Sequence, residues 1–412
     1  MKEQLKGMML AGVILSMTVS ATVEAESIED ILMKGKPYGD LRLRYEHVEQ
    51  DGLMNANSKT ARARVGFKTG EWKHLSGVIE GESVFYLGND DYNDTVNKRT
   101  DHATVADPEN IQVNQAYGQV TGIDDTVIKA GRQVITMDNH RFIGHVGWRQ
   151  NNQVFDAVTM TNTALPKTTI NYGYIYNVNR IFGEQSTMGD WGSKSNYYNI
   201  SNTALPIGKL TTYGYFLDFG GDSPANSSKT FGGYISGSQK LSDEFKLSYY
   251  GEYAYQTEYG ENTTDYGAHY YHLAPAVSFE GLTATIGYEV LGSDDSTASF
   301  RTPLATLHKF NGWSDKFLGT PAAGLEDFYI DLTYKVSGLE GDMEMLNGLL
   351  AKVQYHDFSS NDGDMDYGSE WGIYVKKPIN DYISTGIKYS NYKEDGFGAD
   401  TQKITVDIDF KY

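Results

Sequence analysis

The residues best equipped for chemistry in this chain are its ten arginines: Arg42, Arg44, Arg62, Arg64, Arg99, Arg132, Arg141, Arg149, Arg180 and Arg301. Nine of them fall in the first 180 residues, so the charge they carry is gathered on one part of the fold. A guanidinium is a planar fork that bonds a carboxylate or phosphate bidentately, and its charge does not titrate. Arg42 and Arg44, then Arg62 and Arg64, are spaced by two, and Lys129 alternates with Ile128 and Ala130 just ahead of Arg132. On strands that spacing turns Arg42, Arg44, Arg62, Arg64 and Lys129 to one face. If that face lines a channel, the arc Arg42, Arg44, Arg62, Arg64, Arg132, Arg141 and Arg149 biases it toward anions. The opposing arrangement is a clamp, in which Glu46, Glu80, Glu82 and Asp156 hold the arginines, with Glu289 and Asp331 as further carboxylates for the same face. A clamp that neutralises only part of the charge still selects.

Other chemistries find little support. There is no Cys, which removes disulfide scaffolds, thiolate metal sites and Cys nucleophiles. His269, His272, His308 and His356 stand near Ser and Asp residues, yet no nucleophile elbow, zinc motif or paired-carboxylate signature accompanies them. The reading is a non-enzyme without a cofactor. Asp362, Asp364 and Asp366 have calcium-loop spacing, but Tyr367 stands where such a loop needs Gly and Ile373 where it needs Glu, leaving at most a loop-bound Ca2+. Subtracting 54 Asp+Glu from 35 Lys+Arg gives a net charge of −19, which disfavours a nucleic-acid partner.

The elements that must position these side chains are strands. Leu41, Leu43 and Tyr45 alternate with Arg42, Arg44 and Glu46, and the same period of two recurs through Phe328–Val336 and Ile404–Tyr412. About 18 such strands are expected, centred near residues 43, 64, 80, 115, 129, 158, 174, 200, 215, 235, 251, 273, 287, 331, 352, 372, 387 and 407, with 16 as the alternative count. Short connections alternate with long polar ones, as in an up-and-down transmembrane barrel with turns at one rim and loops at the other. Lys2 and Lys6 ahead of an apolar stretch predict a secretory signal over 1–25, and no later apolar run is long enough for a helical span. The expected organisation is therefore all-β: an antiparallel outer-membrane barrel over 26–412, with long loops at 87–108, 134–152 and 293–324. A closed wall of 18 strands is too wide to be filled by its own side chains, so its lumen is expected to be a channel narrowed by loops. Tyr38, Tyr86, Tyr172, Tyr213, Tyr249, Tyr270, Tyr382 and Tyr392, near strand ends, are expected in the interfacial belts. Pro275 predicts a bulge or frayed pair, and 338–349 a short helix.

Two blocks add a resemblance. Gly131-Arg132-Gln133, Asn139 to Gly144, Trp148 to Asn151 and Phe155 to Val158 form the first, and Arg301 to Leu318 with Thr320-Pro321 and Gly324 to Tyr329 the second. Both resemble outer-membrane barrels of the alginate export family. The resemblance implies an arginine-rich lumen passing a polyuronate, with Arg132, Arg141, Arg149 and Asp156 at the constriction. It also implies that the loop 293–324, with Arg301, His308, Lys309 and Trp313, covers or enters the pore. The combined expectation is a passive channel in the outer membrane of a Gram-negative bacterium. It is monomeric, surrounded by lipid and lipopolysaccharide, and passes anionic solutes such as carboxylated sugars or polyuronates through a lumen lined by Arg42, Arg44, Arg62, Arg64, Lys129, Arg132, Arg141, Arg149, Asp156, Glu80 and Glu82. The alternatives are a sugar porin without anion preference and a structural or adhesion barrel plugged by its loops.

Overall fold

The computed structural model describes residues 28–412; the segment 1–25 read as a secretory signal lies outside them. A short helix, α1 (Ile28–Met33), precedes the strands β1 (Lys36–Gln50), β2 (Ala56–Lys68), β3 (Leu75–Tyr86), β4 (Asn110–Ile123), β5 (Thr126–Gln133), β6 (Val154–Asn162) and β7 (Thr168–Asn179). Next come β8 (Asp190–Asn202), β9 (Lys209–Leu217), β10 (Ser228–Lys240), β11 (Phe245–Glu258), β12 (Gly267–Leu273), β13 (Ala276–Phe279) and β14 (Leu282–Leu291). After a small hairpin, β15 (Ser293–Asp294) with β16 (Ala298–Ser299), the chain continues through β17 (Leu325–Lys335), β18 (Leu350–Ser359), β19 (Asp366–Pro378), β20 (Ile383–Lys393) and β21 (Thr401–Lys411).

All strand pairs are antiparallel, and β21 returns to β1, setting Asp409 opposite Arg42 and Asp407 opposite Arg44. β12 and β13 lie in line between β11 and β14, broken at Ala274 and Pro275. Pro275 lacks the N–H a ladder needs, which accounts for the interruption. Counting that pair as one gives a closed barrel of 18 strands, and each of the expected strand centres falls in a wall strand. The alternative count of 16 is excluded.

Outside, the wall is apolar: Val65, Ile79, Ile286, Trp371 and Ile387 are each more than half exposed. No helix among the described residues is long and apolar enough to cross a membrane. A closed barrel leaves no strand edge unpaired, so its backbone satisfies itself in lipid, and the exposed apolar band is what a membrane-spanning wall requires. The fold is that of an outer-membrane barrel. At the rim of short turns Gly39 and Tyr412 exchange two backbone hydrogen bonds, so the end of β21 lies beside the start of β1. Helix α1, which the sequence pattern did not announce, sits at this rim, where Ile31 accepts from the Gly70 amide at 2.9 Å. The segment Gly341–Leu346 is a short 3-10 helix, as its composition suggested.

The belt assignment needs correction. Tyr172 and Tyr382 are exposed on the outside, but Tyr213, Tyr270 and Tyr392 are at most 1% exposed and lie in a cluster with Phe142, Phe300 and Phe317. Strand alternation fixes that a side chain points in or out, yet which way a tyrosine points depends on what fills the lumen. Here loops bring apolar rings inside.

Candidate functional site: a lumen filled from one rim

Three long connections turn inward from the same rim, at 87–109, 134–153 and 292–324. The second and third run side by side: the Gly144 amide donates to the Leu304 carbonyl at 2.8 Å, and the Thr306 amide to the His140 carbonyl at 3.0 Å. The Gln153 side-chain amide donates to both the Gly144 and Leu304 carbonyls, at 2.9 and 3.0 Å. Phe142 anchors this pair against the wall, its ring centroid 4.9 Å from Tyr213, 5.0 Å from Tyr215, 5.8 Å from Tyr270 and 6.1 Å from Phe300. The loops are packed into the barrel as a core would be. Gly131, at φ 126° within β5, lies tight against β4: a Cβ there would collide with the Ala116 carbonyl.

Arg42, Arg44, Arg62 and Arg64 face the lumen, but Arg132 does not: it stands opposite Asp156, which lies between the inward-facing Phe155 and Ala157 and shares a face with the exposed Val158, so this pair points out of the barrel, contrary to expectation. All seven of the arc have carboxylate partners. Arg42 binds Asp409 at 2.8 Å, Arg44 binds Asp407 at 2.7 Å, and Arg62 pairs with Asp40. Arg64 pairs with Glu82, and Arg132 binds Asp156 at 2.8 Å. Arg141 reaches Glu289 on β14 at 2.9 Å. Arg149 lies 3.2 Å from Glu46 on β1, 3.1 Å from Asp315 and 3.7 Å from Asp107. Exposure separates two groups. Arg44, Arg62, Arg141 and Arg149 are 6% exposed or less. The side chains of Arg42, Arg64 and Arg132 keep 17%, 11% and 23%. In the first group Arg44, Arg141 and Arg149 tie inward loops to the wall, while Arg62 joins two wall strands; in the second, Arg42 and Arg64 still show charge to the lumen.

Among the described residues Glu80 takes no guanidinium, accepting instead from Asn114 at 2.5 Å and Gln115 at 3.2 Å. Lys129 stands half-buried on β5, 5.2 Å from the Tyr117 ring. Lys309 donates to the Asn139 carbonyl at 2.9 Å, joining the two inward loops. The Trp313 amide donates to Glu370 of β19 at 2.5 Å.

The sequence reading missed Asp107, Asp315, Lys388 and Lys403. Lys388 and Lys403 fall on the inward register of β20 and β21, which was the available signal; Asp315 in its loop gave none. Asp315 binds Lys403 at 2.6 Å and accepts from His308 Nδ1 at 2.6 Å. His308 Nε2 then accepts from Lys388 at 2.9 Å, which requires the neutral ring. The same ring stacks on Trp148 at 4.0 Å and 6°, and Lys388 stands 3.6 Å from the Trp148 centroid. One imidazole therefore joins both inward loops to the wall.

Burial is the chief reason the His308 pKa falls to about 3, with Lys388 and Lys403 adding to it against the opposing pull of Asp315. Burial would raise the Asp315 carboxyl, but His308, Lys403 and Arg149 hold it well below its ordinary value. The signs agree. A released His308 binds a proton near pH 6.5, so the docked loop gives up stability as pH falls from there toward 3, and protonation of Asp315 acts in the same direction below that. Acidification from pH 7 to 4 is therefore expected to increase open-channel noise. In His308→Gln the increase is expected to be smaller; equal pH dependence in the two proteins would show that this histidine does not hold the loop.

Asp362 and Asp366 are occupied by Ser296 and by the Gly368 amide, and no group of three ligating side chains that could hold a metal ion occurs among the described residues.

No protein-family model matches the chain, and no curated protein is recognisably similar to it in sequence. Solved structures are similar in fold. Acinetobacter baumannii OccAB3 aligns with a TM-score of 0.71 at 13% identity, covering 92% of this chain and 100% of that one. OccAB4 of the same organism gives 0.70 at 12%, covering 92% and 98%. The outer membrane protein OpdK of Pseudomonas aeruginosa gives 0.68 at 13%, covering 93% and 99%. These structures support the barrel but not the alginate export family suggested by the two sequence blocks. By fold, then, the chain is an 18-stranded outer-membrane barrel of the architecture seen in the Occ and Opd proteins.

Proposed function

We propose that this protein is a passive outer-membrane channel for small polar solutes that prefers anions, with carboxylated sugars as the favoured class. What carries the preference is the basic strip left uncovered on one wall, formed by the exposed edges of Arg42 and Arg64 with Lys129. A low-dielectric wall focuses the field of such a strip. The loop plug favours single sugars or short acids over a polyuronate chain, because the aromatic cluster around Phe142 occupies lumen that a polymer would need. A sugar channel without charge preference is the second reading, favoured by the carboxylate found beside each arc arginine. Non-enzymatic passage agrees with the architecture. The passage follows the solute gradient.

A reversal potential across a salt gradient tests this. The native channel is expected to be anion-selective, and Arg42→Ala with Arg64→Ala to move the potential toward zero or beyond. Cation selectivity in the native channel, or no shift in the double variant, would leave the second reading. Absence of any current would favour a structural barrel.

A further inference from the structure

At the rim of short turns, which in an outer-membrane barrel faces the periplasm, the lumen ends in opposed lysines. In the unbroken ladder between β1 and β2, Arg42 stands opposite Arg62, and six residues nearer that rim Lys36 stands opposite Lys68. In the equally unbroken ladder between β10 and β11, Tyr234 stands opposite Glu252, and six residues nearer the same rim Lys240 stands opposite Lys246. An even number of steps keeps a side chain on its face, so all four lysines point inward with Arg62 and Glu252. All four are exposed. Like charges set directly opposite each other across a ladder repel, and here the arrangement occurs twice at one mouth. The inward carboxylates toward this end of β1 and β21, Asp40 and Asp409, are taken by Arg62 and Arg42. Asp331 on β17 is taken by Lys352. None of the four lysines makes an ion pair among the described residues, not even with Asp243 and Glu244 in the turn that joins Lys240 to Lys246.

We infer that each opposed pair, Lys36 with Lys68 and Lys240 with Lys246, binds a phosphate dianion arriving from the periplasm, either inorganic phosphate or the phosphoryl group of an ester. Two ammoniums side by side ask for two negative charges on one small group. A carboxylate supplies one, whereas a phosphate monoester carries about −1.5 to −2 at neutral pH. Lysine meets phosphate as a point charge on a flexible stem, so the pair needs no fixed fork to hold it. The first two wall strands lie half a circumference from the tenth and eleventh. Strands about 4.8 Å apart make a mouth roughly 27 Å or more across, so the pairs act as two separate sites. The inward loops fill the lumen from the other rim, and the ligand reaches these lysines without passing the plug. The inference goes beyond the anion preference of the Arg42 and Arg64 strip and does not depend on it.

The experiment adds glucose 6-phosphate or glucuronate to single channels, on one side at a time. The two sugars are of similar size and differ in charge. Glucose 6-phosphate on the side of the short turns is expected to reduce the current at concentrations roughly tenfold below those glucuronate requires, as one further charge-assisted hydrogen bond implies. On the side of the long loops it is expected to act more weakly. Changing both pairs together, Lys36→Gln and Lys68→Gln with Lys240→Gln and Lys246→Gln, is expected to abolish the difference between the two sugars, and either pair alone to remove part of it. These changes relieve repulsion at exposed positions, so the fourfold variant should unfold at no lower temperature than the native barrel. Fourfold replacement by Arg should keep the block, and so should Arg42→Ala with Arg64→Ala. Equal block by glucuronate, equal block from the two sides, or an unchanged effect in the fourfold Gln variant overturns the inference, as does loss of the block in the Arg42 and Arg64 variant. None of these results touches the anion selectivity read from the reversal potential.

Discussion

A barrel carrying Arg149→Ala is expected to conduct more current than the native one, with frequent transitions between levels. Arg149 is buried against Glu46, Asp107 and Asp315, which reach it from the wall and from two different loops. Burial works against its charge, yet those three carboxylates more than offset this and hold its pKa above the ordinary arginine value. Removing it leaves three buried carboxylates to share Arg44 and Lys403, and Arg44 is already bound to Asp407. Breaking such a buried pair costs about 3–5 kcal/mol. Because the strain falls on loop docking rather than on the wall ladder, the 134–153 segment should swing out while the barrel persists. Glu46→Gln added to Arg149→Ala should recover part of the native behaviour, since the two changes touch one network. Native conductance in Arg149→Ala, together with native resistance of the loop to protease, would show that the network does not hold the plug.

Phe142→Ala should give a comparable loss by a different force. Phe142 is 8% exposed and meets four aromatic rings, three of them on the wall strands β9 and β12 and the fourth, Phe300, in the 292–324 loop. Deleting a buried phenyl costs about 3–5 kcal/mol, the higher figure where the surroundings cannot collapse. Strands pinned by their ladders cannot close the gap. The docked loops are expected to detach at lower temperature and lower denaturant concentration than in the native protein, detected as a separate transition ahead of barrel unfolding. Salt should distinguish the two variants: high ionic strength should change the Phe142→Ala transition less than that of Arg149→Ala. A single transition at the native midpoint would exclude the aromatic anchor.

How much of this could be read in advance follows from the range of each force. The period of two in Leu41 to Glu46 and in Ile404 to Lys411 depends on the chain itself, so it revealed the strands, the inward face and, through Pro275, the one break in the wall. It also set Arg42 and Arg44 toward the lumen correctly. Partners are another matter. The Arg149 contacts lie at residues 46, 107 and 315, and the His308 contacts at 148, 315 and 388; nothing local links those positions. The split between covered and exposed arginines depends on where loops land, as does the inward turn of Tyr213, Tyr270 and Tyr392. Asp315 stands in an irregular segment where no period marks a face.

The short run from Arg141 to Arg149 is tied at one end to Glu289 on β14 and at the other to Glu46 on β1. Eight residue steps reach at most roughly 28 Å, so this run is a chord fixed across a wide cylinder. Lipids press on a membrane wall from the side, and an empty ring of 18 strands would readily flatten into an ellipse. With a chord inside, the girth and roundness of the barrel are set by a strut in its interior. The outer face then has only to be greasy, and its residues are free to change with the membrane while the shape of the aperture stays the same.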